Sequence, residues 1–158
     1  MSKKYIIFIL ILAIIGSCKK KSELENLIPE NLGDLKLSRS ESTTEFFFKS
    51  LIPNGMQPAM GLKAEYSNGE YSADLYLLSY KDTLSAITAF HHLMRGVRAD
   101  TINYKHIVPR FDQNMFFIMA LKEERLNYFF TKSTYVYWLN CEKKSGENLI
   151  GYLLKSHR

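Results

Sequence analysis

The alternation of apolar and polar positions is clearest between Leu62 and Tyr80. Leu62, Ala64 and Tyr66 share one parity, Asn68-Gly69 interrupts, and Tyr71, Ala73, Leu75 and Leu77 resume it, with Tyr76, Leu78 and Tyr80 on the opposite side. A period of two broken by Asn-Gly predicts a β-hairpin with strands over 62–67 and 70–80. Its turn is expected to be type I′, with positive φ at both central residues. The period then changes. Asp82 stands where an N-cap belongs, and Leu84, Ile87, Phe90, Met94 and Val97 recur at three- and four-residue spacing. That pattern predicts an amphipathic helix from about Thr83 to Arg98. Arg95 and Arg98 fall in its last turn, where positive charge suits the negative end of the helix dipole.

Strand-like runs follow. Asn103–Val108 ends at Pro109, Asn114–Leu121 is strongly apolar, and Leu126–Thr131 returns after the charged turn Lys122-Glu123-Glu124-Arg125. Thr134–Asn140 alternates, with Tyr135, Tyr137 and Leu139 on one side and Val136 and Trp138 on the other. Glu147–Ser156 reads as a short final helix through Leu149, Ile150, Leu153 and Leu154, weakened by Gly151. Upstream, Phe46–Ile52 is an apolar run that fits strand or helix equally. The expected fold class is therefore α+β: an antiparallel sheet of about five to six strands with one main amphipathic helix packed on one face. This is a two-layer sandwich with an optional short C-terminal helix.

The first residues follow a different rule. Lys3 and Lys4 precede the apolar run Tyr5–Ile15, followed by Gly16, Ser17 and Cys18. A positive start, a short apolar core and small residues make a secretory signal. The run is about a dozen residues, short of the roughly 20 that a spanning helix needs. The sequence Ile15-Gly16-Ser17-Cys18 resembles a lipobox, the processing site of bacterial lipoproteins, with Ile15 where Leu is usual. The resemblance implies removal of residues 1–17 and a diacylglyceryl group on the Cys18 thiol. It also implies a partner, the membrane, held through that lipid. Two acyl chains on one residue supply the double anchor that stable membrane attachment requires. Lys19 takes the position where an Asp marks retention at the inner membrane, so the resemblance places the protein in the cell envelope at the outer membrane. Residues 18–45 read as a lipidated terminus and polar tether, with Leu27–Leu37 able to dock onto the domain, and 46–158 as one globular domain.

Composition narrows the function. The 158-residue chain is 46% hydrophobic and 13% aromatic, which excludes wholesale disorder. Its formal charge of +5 falls by two when Lys3 and Lys4 leave with the signal, and the remaining bases are dispersed. No basic stripe suggests nucleic acid. The sequence holds no phosphate-binding Gly-rich loop, no nucleophile elbow, no H-E-x-x-H and no C-x-x-C. His91 and His92 are adjacent on a helix, about 100° apart, and do not suit a shared metal. Hence no catalytic residue, no metal site and no cofactor are expected. Cys141 is expected to be a half-buried free thiol, and Asp74 an outward-facing strand residue without a role.

The strands are rich in Tyr and Trp. One helix covers one face, so some rings should lie exposed or form a groove. Tyr71, Tyr76, Tyr135, Tyr137 and Trp138 are the candidate binding residues, since such rings join an apolar body to a polar tip. The expectation is a membrane-anchored, non-catalytic module that binds an envelope protein or a small ligand. A structural or assembly accessory is the alternative, and an envelope hydrolase a third.

Overall fold

The computed structural model describes residues 23–42, 56–112 and 114–156. The expected signal, Cys18 and the Phe46–Ile52 run lie outside them. After a 3-10 turn at Glu25–Leu27, the described elements are β1 (Asn31–Leu32), β2 (Leu35–Ser42), β3 (Met60–Ser67) and β4 (Ser72–Ser79), then helix α1 (Thr83–Ala99). Strands β5 (Tyr104–Asp112), β6 (Met115–Lys122), β7 (Arg125–Lys132) and β8 (Tyr135–Glu142) follow, and helix α2 (Gly146–Ser156) is the last described element. The strands form one antiparallel eight-stranded sheet in the order β1-β2-β3-β4-β8-β7-β6-β5. It curls into a half-barrel. Register shifts at Leu37/Arg39 and Lys105/Val108 bend its two outer regions, as bulges do.

This corrects the expected five-to-six-strand, two-layer sandwich with one main helix. Two four-stranded meanders are joined by α1 and meet where β4 pairs with β8. Chain geometry explains the joint. A strand of eight residues and a helix of seventeen both span roughly 25 Å, so α1 carries the chain back along the height of the sheet between β4 and β5. Strands β1 and β2 lie within the stretch read as tether. The leucines Leu24, Leu32 and Leu35, with Ile28, are buried beside α2 residues Leu149 and Leu153.

Both faces of the sheet are covered. On one, α1 lays Ala86, Ala89, Phe90, Leu93, Met94 and Val97 over Leu78, Ile118, Phe129, Val136 and Trp138. The alanines permit close approach, and the expected stripe is rotated: Leu84 and Ile87 are 74% and 37% exposed. On the other face, α2 and the 24–35 segment cover Leu75, Leu77, Tyr128, Phe130, Tyr137 and Leu139. Gly146 starts α2 because a Cβ there would come within 2.7 Å of Leu126 and 2.8 Å of the Tyr128 hydroxyl.

Local chemistry sets the turns. Asp82 caps α1 by accepting from the Ser85 N–H at 2.7 Å. The β3–β4 turn is longer than type I′. Of Asn68 and Gly69, only Gly69 has positive φ, and the Asn68 side-chain oxygen accepts from the N–H groups of Glu70 and Tyr71 at 3.0 and 2.8 Å. The β6–β7 turn without glycine is made by Glu123 at φ 55°.

The pairing defines two ends. At the upper end lie the β3–β4 and β6–β7 turns. At the lower end lie the β5–β6 and β7–β8 turns and the start of α1.

Candidate functional site

On the α1 face, the upper part of β4, β8 and β7 carries polar side chains in cross-strand rows. The first row is Lys63, Tyr76, Trp138 and Phe129, neighbours in register across β3, β4, β8 and β7. Tyr76 stacks on Trp138 at 4.6 Å and Trp138 on Phe129 at 5.5 Å. The Lys63 ammonium lies 5.8 Å from the Tyr76 ring centre. The second row is Glu65, Asp74, Asn140 and Asn127. The third brings Ser72, Arg125 and Lys122 to the rim.

The rows are tied together through Asn127, the one buried side-chain amide among the described residues. Its side-chain oxygen accepts from the Trp138 indole N–H at 2.8 Å and from the Asn140 amide at 2.9 Å, and its own amide donates to the Arg125 carbonyl at 3.2 Å. The Arg125 Nε donates to the Asn140 side-chain oxygen, and its Nη1 to the Ser72 hydroxyl at 3.2 Å. Nη2 donates to the carbonyls of Ser72 and Asn140 at 3.4 and 3.3 Å. Ser72 in turn donates its N–H and hydroxyl to one Glu142 carboxylate oxygen at 3.1 and 3.2 Å. Among the described residues the guanidinium thus meets neutral oxygens, and no ion pair consumes it.

Beside this floor, Lys63 pairs with Glu65 at 2.6 Å and Asp74 at 3.4 Å. The hydrogen bond to Glu65 is the largest cause raising the Lys63 ammonium above its usual value, and the same bond lowers the Glu65 carboxyl. Burial raises the Tyr76 phenol. Above the floor is an open groove of about 340 Å³, bordered by Asp74, Tyr76, Trp138, Asn140, Arg125 and Lys122. That volume lies in the lower range of small-ligand sites, roughly 300–1,000 Å³.

Of the sequence candidates, Tyr76 and Trp138 are brought together here. Tyr71, Tyr135 and Tyr137 belong to the opposite face, where Tyr137 is 2% exposed and stacked on Phe130 at 4.5 Å. α2 and the 24–35 segment cover the middle of that side and bury Tyr137, while Tyr71 and Tyr135 are half-buried. Asp74, read as outward and idle, instead joins the groove. Sequence reasoning passed over Ser72, Lys122, Arg125, Asn127 and Asn140. Their signal was parity: Arg125, Asn127 and Phe129 share a face, as do Trp138 and Asn140.

Cys141 is free and fully buried, and burial pushes its thiol up to about 12, so it stays protonated at neutral pH. Among the described residues no three His, Cys, Asp or Glu gather as a metal site.

No family model and no curated protein matches this chain. Similar solved structures include two of known source. A GTP-binding regulator from Thermotoga maritima superposes with a TM-score of 0.53 at 11% identity, covering 82% of this chain and 80% of that one. The extracellular domain of PknH from Mycobacterium tuberculosis gives 0.48 at 8% identity, covering 78% and 80%. At 11% identity the first likeness bears on the fold alone.

Proposed function

We propose that this protein is a lipid-anchored lipoprotein of the cell envelope, outer-membrane in location. Its domain is a non-catalytic module that binds a polyhydroxylated ligand, a glycan, in the groove between Tyr76 and Arg125. The hydrogen-bonded ladder Trp138–Asn127–Asn140–Arg125–Ser72 carries this reading. The groove balances Lys122 and Arg125 against Asp74 and Glu123, so it does not select an ion of one sign. It offers planar polar groups, a guanidinium, an amide and a carboxylate, beside an aromatic ring. Neighbouring hydroxyls of a sugar match such planar groups, and the sugar's C–H face matches the ring. The polar groups are held by one another in advance, so little side-chain freedom is lost on binding. The membrane attachment is supported by the lipobox resemblance at Cys18.

Trp138 is the chain's single tryptophan and forms the groove wall, so its emission reports occupancy. Titration with envelope-derived oligosaccharides should give a saturable change in emission. Lys122→Ala and Asp74→Ala should weaken it by about tenfold each, the value of one hydrogen bond to a charged group. Lack of a saturable change at millimolar glycan would refute the ligand assignment. Cys18→Ser should abolish incorporation of labelled fatty acid; unchanged incorporation would refute the anchor.

A further inference from the structure

We infer that the tip of the β5–β6 hairpin is a membrane-docking finger, inserted among phospholipid headgroups beside the lipidated N-terminus. The inference rests on the anchor reading above.

Four observations meet at the lower end. First, Phe111 and Phe116 are directly paired across the hairpin, so their rings share a face, yet they are 71% and 50% exposed. Secondly, the β6–β7 pairing stops at Ile118↔Phe129, while β5 and β6 stay paired out to Asp112↔Met115. The last residues of the hairpin therefore extend past their pairing with β7. Thirdly, Met60 and Leu84, 45% and 74% exposed, lie at this same end, at the starts of β3 and α1. At the upper end one large apolar side chain is similarly bare among the described residues, Ile102.

The fourth observation identifies the occupant. The described residues begin at Glu23, and Leu27 borders one open groove together with Lys132, Ser133 and Tyr135 of the β7–β8 turn. The chain thus enters at the lower end. β6 and β5 are one and two strands from β7, roughly 5 and 10 Å sideways. Four residues separate Cys18 from Glu23, a span of five Cα–Cα steps. Even fully extended they reach roughly 17 Å, so a lipid on Cys18 keeps the lower end near the bilayer surface. Aromatic rings favour that interface, where amphipathic elements bury their apolar side some 5–10 Å deep. The same orientation points the groove of the upper end away from the membrane.

The test uses full-length protein processed in cells and reconstituted into vesicles of phosphatidylethanolamine and phosphatidylglycerol, with and without brominated acyl chains. Phe116→Trp, and separately Phe111→Trp, places a second indole at the tip. Bromolipid should quench this added emission at least about twofold, and leave that of the wild-type protein, from Trp138 at the groove, nearly unchanged. Vesicle-bound protein whose tip tryptophan is unquenched would overturn the finger while leaving the anchor intact. That result together with crosslinking between tips would assign the surface to a second copy of the chain. Protein that carries no lipid and stays off the vesicles would overturn the anchor, and the finger with it. Phe111→Ser with Phe116→Ser is the complementary variant. It should remain anchored but lose protection of the β5–β6 turn from protease, and unchanged protection would count against docking.

Discussion

Replacing Asn127 by Leu tests whether the ladder is one structural unit. Asn127 is fully buried and serves two donors and one acceptor. Leu has the same heavy-atom branching as Asn, so no cavity is left. The loss comes from the abandoned partners. The Trp138 ring is 4% exposed, and its indole N–H would lose the acceptor it has in Asn127. An unsatisfied buried donor costs about 1–3 kcal/mol. Asn140 and the Arg125 carbonyl are less enclosed and regain water, adding about 1 kcal/mol between them. The greater apolarity of Leu offsets about 1 kcal/mol of this. The net expectation is a destabilisation of about 2 kcal/mol, which lowers the urea midpoint by roughly 1 M for a domain of this size.

Urea titration followed by far-ultraviolet circular dichroism measures that shift. Trp138→Phe removes the donor itself and supplies the second corner of a double-mutant cycle. If the indole–amide bond is the main term, the double variant loses less than the sum of the singles, by about 1 kcal/mol. A midpoint unchanged within about 0.2 M, or strict additivity, would show that the ladder does not hold Trp138 in place.

Three further outcomes follow from the geometry. The Ser85 N–H lowers the Asp82 carboxyl below its usual 3.8, so this cap stabilises fully above that value and loses its effect as pH falls through the lower folded value. Urea midpoints from pH 7 down to pH 2 should therefore drop less steeply at the acid end in Asp82→Ala than in wild type, and parallel curves would refute the cap's role. Cys141, fully buried with its thiol raised to about 12, should resist maleimide at pH 7.5 in the native protein and react promptly in urea; rapid native labelling would contradict its burial. Leu93→Ala should cost about 3 kcal/mol and Leu84→Ala less than about 0.5 kcal/mol in the same titration, because Leu93 is fully buried and Leu84 is 74% exposed. Equal losses would mean that α1 is rotated about its axis.

Local pattern was legible where one element carried its own signal. The alternation over 62–80 gave β3 and β4, Asp82 and the following period gave α1, and the charged run 122–125 marked a turn although it lacks glycine. Four features needed information from distant residues. The β1–β2 segment contains leucines without regular spacing, and their burial depends on α2, more than a hundred residues later. The stripe on α1 was misjudged because Leu84 and Ile87 outweigh Ala86 and Ala89 in hydrophobicity, whereas close approach to a sheet selects for small side chains. The second covered face was missed because Gly151 made α2 look weak. Its stability comes from Leu149 and Leu153, both fully buried, rather than from propensity. The groove was illegible for the same reason: parity assigns Asp74, Tyr76, Asn127, Trp138 and Asn140 to faces, but only the β4–β8 pairing puts residues of the first meander beside those of the second.

That pairing also bears on what the ladder is for. An apolar residue at 127 and its neighbours would serve stability as well, since the net value of a satisfied buried hydrogen bond is small. Stability alone therefore gives no reason for an amide row inside a sheet otherwise packed with Leu, Phe and Tyr. What the row adds is orientation: it fixes the Trp138 plane and turns the Arg125 guanidinium along the groove instead of into solvent. It does so on β4, β8 and β7, strands paired on both sides rather than loops or edges. Side chains held in place on paired strands make a more defined binding surface than the same groups on a turn. Pre-arranged polar groups at the seam between the meanders thus support the proposal that the upper end is the binding end, and that support does not depend on the proposed membrane anchor.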